Sequence, residues 1–280
     1  MKAVFATDLS EASDAAIDSR TCLECLSNVG VETVHIITVA SSNVHYGVPG
    51  ITAPREKALS RQKQTFEDAG FDVETHVVRG TPHQRINGLA KRVDADLVLV
   101  GSRGRGGSRP GMIGSTSRNV VRTATRPVLV ERIGEDDGEP TVAREHLFQR
   151  VLYATDFSEN AERAFDQFRV LEDSVEEATL VHVLGREQER LEEDLEKARE
   201  NLEELATELE GLGIDVETMV REGEPAEEIL AAEEEVEPTT VLLGARGLSR
   251  LRRLLLGSVS EAVLEGAQAN VLVVPPRERP

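Results

Sequence analysis

Two cysteines in 280 residues leave no material for a disulfide framework, and tryptophan is absent altogether. Cys22 and Cys25 have CxxC spacing, but they fall late in a helical pattern. A redox pair sits at a helix start, where the dipole lowers the thiol pKa, so these two read as core or boundary residues. No apolar run approaches the roughly 18 to 20 residues that span a bilayer, and MKAVFATDLS does not have the charged, cleavable pattern of a leader. A soluble, cytoplasmic chain is the expectation. His35, His45, His76, His83, His146 and His182 show no HxH or HxxxH spacing, so no metal site is expected. Neither GxxxxGK[ST] nor a GxGxxG after the first strand occurs, which disfavours a P-loop NTPase and a dinucleotide dehydrogenase. Basic residues are outnumbered, 32 Lys and Arg facing 51 acids for a formal charge of −19. Such a shell repels itself unless salt screens it over a few ångströms, as in a halophilic cytoplasm, and it is a poor surface for nucleic acid.

What is present is a duplication. AVFATDLS at 3–10 returns as VLYATDFS at 151–158, and LVLVGSRG at 97–104 returns as VLLGARG at 241–247. Gly80-Thr81-Pro82 returns as Gly223-Glu224-Pro225, and Val128-Leu129-Val130 as Val271-Leu272-Val273. Between the copies, Gly134 to Pro140 is charged, aperiodic and broken by Gly and Pro. The expected division is therefore a domain over 1–133, a linker over 134–147 and a second domain over 148–280.

Within each copy short β-rich runs alternate with helical patterns. Strands are predicted near 2–7, 33–39, 72–79, 96–100 and 127–131, then 150–154, 178–184, 215–221, 239–243 and 270–274. Helices are predicted near 11–28, 55–70, 82–93 and 115–125, then 159–172, 187–212, 226–235 and 258–268. Strict alternation gives the fold class α/β, with two doubly wound five-stranded parallel sheets, because each parallel crossover needs a covering helix. The Leu-rich seam from Leu191 to Leu212 suits either a helix covering a sheet or a coiled-coil partner.

The fourth strand of each copy runs into glycines at one spacing. Gly101-x2-Gly104-x9-Gly114-Ser115 matches Gly244-x2-Gly247-x9-Gly257-Ser258. Glycines after a strand let backbone N–H groups approach an anion, and a Gly-Ser at a helix start presents free amides to phosphate. At Gly114 and Gly257 a β-branched residue is expected to obstruct phosphate and to be forced into an unfavourable φ. No Asp or Glu occurs from Leu97 to Val130 or from Pro238 to Ser260, where Arg103, Arg105, Arg109, Arg118, Arg122 and Arg126, then Arg246, Arg250, Arg252 and Arg253, stand. These windows suit a bound polyanion, or arginines paired with acids elsewhere. At the end of the first strand, Asp8 and Asp156 could accept from a sugar or base; alternatively they, or Ser10 and Ser158, are helix caps.

The ATD-x-S start, the Gly-x-Pro, the G-x2-G-x9-G-S loop and the closing PVLV or NVLVV strand resemble the universal stress protein family in its tandem form. The resemblance covers almost the whole chain outside the linker. It implies a Rossmann-like fold similar to the adenine nucleotide alpha hydrolases, with strand order 3-2-1-4-5 and ATP, ADP or AMP between the first and fourth strands, magnesium being carried on the phosphates. By that likeness Asp8 and Val39 hold the adenine and ribose end, and Gly101, Arg103, Gly104, Gly114, Ser115 and Ser117 the phosphates. The second copy offers Asp156, Val183, Gly244, Arg246, Gly247, Gly257, Ser258 and Ser260. The family's fifth strand implies pairing of the two domains, and homodimerisation of chains is consistent with it. The extra Gly106, Gly107, Pro110 and Gly111 of the first loop depart from the common pattern. A stress-response ATP-binding module with one site per domain is the leading reading. A scaffold without nucleotide and a slow ATP-hydrolysing enzyme are its alternatives, and the acid-free loops offer no catalytic base.

Overall fold

The computed structural model describes residues 1–18, 20–40, 53–104, 112–137, 139–185, 192–247 and 256–277. Arg105, Arg109 and the extra glycines of the first loop lie outside these residues, as do Arg250, Arg252, Arg253 and Leu191. The chain divides into two compact units, Met1–Glu145 and His146–Pro280.

In the first unit β1 (Lys2–Ala6), β2 (Thr33–Ala40), β3 (Asp72–Arg79), β4 (Leu97–Gly101) and β5 (Val128–Glu131) form a parallel sheet in the order β3-β2-β1-β4-β5. Helices α1 (Glu11–Asp18), α2 (Arg20–Asn28), α3 (Ala53–Asp68), α4 (Pro82–Val93) and α5 (Ser115–Arg122) lie between the strands. The middle strands are apolar runs because a parallel sheet is covered on both faces: Ala3, Val4 and Phe5 of β1 and Leu97 to Val100 of β4 are all buried. Cys22 and Cys25 are both buried on α2 and form no disulfide, which places them in the core.

The stretch expected to be an irregular linker is partly ordered. Antiparallel strands β6 (Ile133–Asp136) and β7 (Glu139–Val142) pair there, with Asp137 at φ +48° in the turn. A two-residue hairpin turn needs positive φ, which Asp adopts more readily than most residues with a side chain. Ile133 is buried and anchors the hairpin.

The second unit repeats the plan with β8 (Arg150–Thr155), β9 (Glu177–Leu184), β10 (Asp215–Glu222), β11 (Thr240–Gly244) and β12 (Asn270–Val274), ordered β10-β9-β8-β11-β12 and parallel. Its helices are α6 (Glu159–Phe165), α7 (Phe168–Leu171), α8 (Glu192–Glu210), α9 (Pro225–Val236) and α10 (Ser258–Gly266), with a 3-10 turn over Glu172–Ser174. The single helix predicted over 159–172 is thus divided, since the Gln167 N–H donates three residues back to the Ala164 carbonyl and tightens the turn. Helix α8 packs on β9 and β10, burying Ala198, Leu202, Ala206 and Leu209, so its seam covers the sheet.

Candidate functional site

Each first strand ends in Thr-Asp-x-Ser, and the geometry explains the pattern. Leu9 and Phe157 sit at φ +60° and +57°, left-handed backbone that a residue with a side chain adopts only at a cost. Two side chains hold each turn. Thr7 Oγ1 accepts from the Leu9 N–H at 2.9 Å and Asp8 Oδ1 from the Ser10 N–H at 3.1 Å; Thr155 and Asp156 do the same for Phe157 and Ser158 at 3.0 and 3.1 Å. Capping of the following helix falls to the serines, Ser10 Oγ accepting from the Ser13 N–H at 3.4 Å and Ser158 Oγ from the Ala161 N–H at 3.3 Å.

The two aspartates thereby stand against the glycine loops. A Cβ on Gly104 would fall 2.6 Å from Asp8 Oδ2, and one on Gly247 would fall closer still to Asp156 Oδ2. The second glycine of each motif is therefore required by the aspartate itself, before any ligand is considered. The first glycine of the second loop is equally confined, with the Asn160 carbonyl oxygen 2.8 Å from where its Cβ would lie.

Gly114 and Gly257 have a different role from the one expected. They cap α5 and α10 at φ −68° and −73°, ordinary values for any residue, and a Cβ there would meet nothing closer than 3.4 and 3.5 Å. The expected φ strain is absent, because these positions are extended N-caps. Having no side chain, the glycines leave the first-turn amides of each helix without a capping oxygen. Their own N–H groups donate to the carbonyls of Ser102 and Ala245 at 2.8 and 2.7 Å, holding each helix start beside its strand end.

All eight residues named in each copy line one cavity. In the first unit Asp8, Val39, Gly101, Arg103, Gly104, Gly114, Ser115 and Ser117 surround about 330 Å³. In the second, Asp156, Val183, Gly244, Arg246, Gly247, Gly257, Ser258 and Ser260 surround about 220 Å³. Each cavity is lined by the ends of the first, second and fourth strands of its unit, by the glycine loop and by the start of the helix that follows it. Ser117 and Ser260 are committed, however: their hydroxyls donate to the carbonyls of Gly101 and Gly244 at 2.6 and 2.8 Å, so they shape the loop. Ser115 and Ser258, at the helix starts, face the cavity without such a bond.

The walls include residues the sequence reading passed over. Pro82 and Ile86 line the first cavity, and Pro225 and Ile229 the second. The signal was the repeated Gly-x-Pro: Gly80 and Gly223 take φ +136° and +154°, the proline starts the helix, and the isoleucine four residues on shares its face. Ser13 is another omission, its hydroxyl donating to Asp8 Oδ1 at 2.8 Å; Ala161 stands at the matching place.

The two basic arms also differ. Arg103 Nη1 donates to the Gly134 carbonyl and Nη2 to Glu135, both at 3.2 Å, so β6 holds it. Arg246 Nε is buried without a hydrogen-bond partner. Arg126 pairs with Asp94, so part of the acid-free window is paired with acids outside it. Near the second cavity His182 Nδ1 lies 2.8 Å from the Thr155 carbonyl oxygen with its ring beside Phe157, and burial lowers its pKa.

A profile of the Universal stress protein family matches residues 1–132 and 147–275. Universal stress protein MJ0577 of Methanocaldococcus jannaschii is 30% identical over 150 residues, 46% of this chain and 93% of that protein. Universal stress protein Rv1996 of Mycobacterium tuberculosis is 45% identical over 89 residues, 31% of this chain and 27% of its own length. The crystal structure of a universal stress protein from Archaeoglobus fulgidus superposes with a TM-score of 0.72 at 26% identity, covering 99% of this chain and 97% of that one. Among the described residues no helix is long and apolar enough to cross a membrane.

Proposed function

Because the chain belongs to the universal stress protein family, with its domain occurring twice, we propose that it is a stress-response module that binds one adenine nucleotide, ATP foremost, in each unit. One observation carries the reading. In each unit the eight residues named from the loop and strand ends line a single cavity.

The residues present fit the ligand at both ends. The α5 and α10 starts, capped by glycine, would receive phosphate oxygens on their amides, with the Ser115 and Ser258 hydroxyls adding donors. The slot between Val39 and Ile86, or Val183 and Ile229, has the apolar walls an adenine ring needs, and the backbone at Val39 or Val183 can address its edge. Asp8 and Asp156 would accept from ribose hydroxyls. ATP would supply a transferable phosphoryl group and a metal-binding polyphosphate when bound. Asp8 and Asp156 are the only acids among the described lining residues, and each has one oxygen fixed by a turn amide. That favours holding a ligand over activating water.

The test is to denature the purified chain and identify what it releases by mass spectrometry. ATP supports the module and ADP or AMP points to turnover. Release of no nucleotide, together with no uptake of added ATP, ADP or AMP, overturns the proposal.

A further inference from the structure

The described residues contain a second set of convergent polar atoms, away from either cavity. His35 lies on β2 four residues before Val39, and it pairs in register with Glu74 of β3, whose neighbour on the same face is His76. His35 Nδ1 is 3.2 Å from His76 Nε2 and 3.5 Å from Glu74 Oε2, and His76 Nε2 is 3.9 Å from that oxygen. A point equidistant from these atoms lies about 2.1 Å from each, which is the length of a zinc bond to nitrogen or oxygen. We propose that His35, Glu74 and His76 form a binding site for one divalent transition-metal ion of the zinc class in the first unit.

The donor chemistry selects the class of ion. Two imidazole nitrogens and one carboxylate oxygen suit zinc and its neighbours, whereas magnesium and calcium take oxygen ligands throughout. His35 is buried, His76 is partly exposed and Glu74 is 66% exposed, so a fourth position faces water. Burial lowers the pKa of both imidazoles from the usual histidine value. Lys2 and Arg92 act against a cation here, and His35 Nε2 has no hydrogen-bond partner, so the affinity is below that of a closed structural site. The second unit does not repeat the set. Thr179 pairs with Glu217 in the corresponding register, and Met219 follows where His76 stands in the first unit. The stoichiometry is therefore one ion per chain.

The full-length chain, stripped with a chelator, is titrated with zinc chloride in molar KCl and millimolar magnesium to suppress diffuse binding to surface acids. One zinc per chain is expected, with at least a tenfold loss of affinity in His76→Gln and in Glu74→Gln, and no loss in His146→Gln. Cobalt reports the same site optically: the visible d–d bands of a four-coordinate ion appear with the wild type and vanish in both variants. Circular dichroism confirms that each variant is folded. No saturable zinc in the wild type, or equal uptake by folded His76→Gln and Glu74→Gln, overturns the assignment.

Discussion

Replacing Gly104 with Ala tests whether the second glycine of the loop exists to make room for Asp8. The new Cβ would lie 2.6 Å from Asp8 Oδ2, so the carboxylate must retreat by roughly half an ångström or more to reach ordinary contact. It cannot retreat freely, because Oδ1 accepts from the Ser10 N–H at 3.1 Å and from the Ser13 hydroxyl at 2.8 Å. Weakening these two bonds to a charged group costs about 1 to 3 kcal/mol. The same motion draws the carboxylate from the cavity, and a loss of about 1.4 kcal/mol in binding is tenfold in Kd. Gly114→Ala is the control. Its Cβ meets nothing within 3.4 Å and its φ of −68° suits alanine, so only the difference between glycine and alanine at an N-cap remains, under about 1 kcal/mol. Urea denaturation of Gly104→Ala, Asp8→Ala and the double variant gives the coupling directly, since in the Asp8→Ala background the alanine has no oxygen to displace and should cost much less. A Gly104→Ala protein within about 0.5 kcal/mol of wild type that binds nucleotide unchanged would refute the reasoning.

Burial pushes the Glu131 carboxyl up to about 8, with the Cys22 thiol donating to it at 3.4 Å and opposing the shift. The folded chain then holds a proton that the unfolded chain releases, so this contribution is complete below about pH 4.5 and is lost as pH rises through about 8. Urea midpoints from pH 5 to 9 should therefore favour Glu131→Gln increasingly with pH, and a constant difference would contradict it. Ser117→Ala and Ser260→Ala should each cost about 0.5 to 1.5 kcal/mol of stability by releasing the Gly101 or Gly244 carbonyl, whereas Ser115→Ala and Ser258→Ala should weaken nucleotide binding and leave stability nearly unchanged. With 51 acids against 32 bases, thermal stability should fall when molar KCl is replaced by dilute buffer; an unchanged melting temperature would remove the halophilic reading.

Most of the fold was legible because its signals are local and occur twice. The apolar runs of β1, β4 and β5 are continuous since both sheet faces are covered, and the Gly-x-Pro at 80–82 and 223–225 marks a positive φ followed by a helix start. That the named residues of each copy line one cavity was legible too, because loop and strand ends recur at fixed offsets. Residue roles were less so. Spacing could not show that Gly104 answers to Asp8, that Gly114 is an ordinary N-cap, or that the Ser117 hydroxyl is spent on Gly101, since each is a tertiary contact. The β6–β7 hairpin was hidden because the paired strands carry acids rather than alternating apolar residues. His35 and His76 are 41 positions apart and meet only through strand register, which no motif spacing reveals.

Isothermal titration of nucleotide-stripped protein with ATP tests the central claim most directly, since each unit builds its own cavity from its own aspartate and glycine loop. Two ATP per chain are expected, with one of the two sites weakened about tenfold in Gly104→Ala and the other in Gly247→Ala; no binding of ATP, ADP or AMP to the folded wild-type chain would contradict the claim.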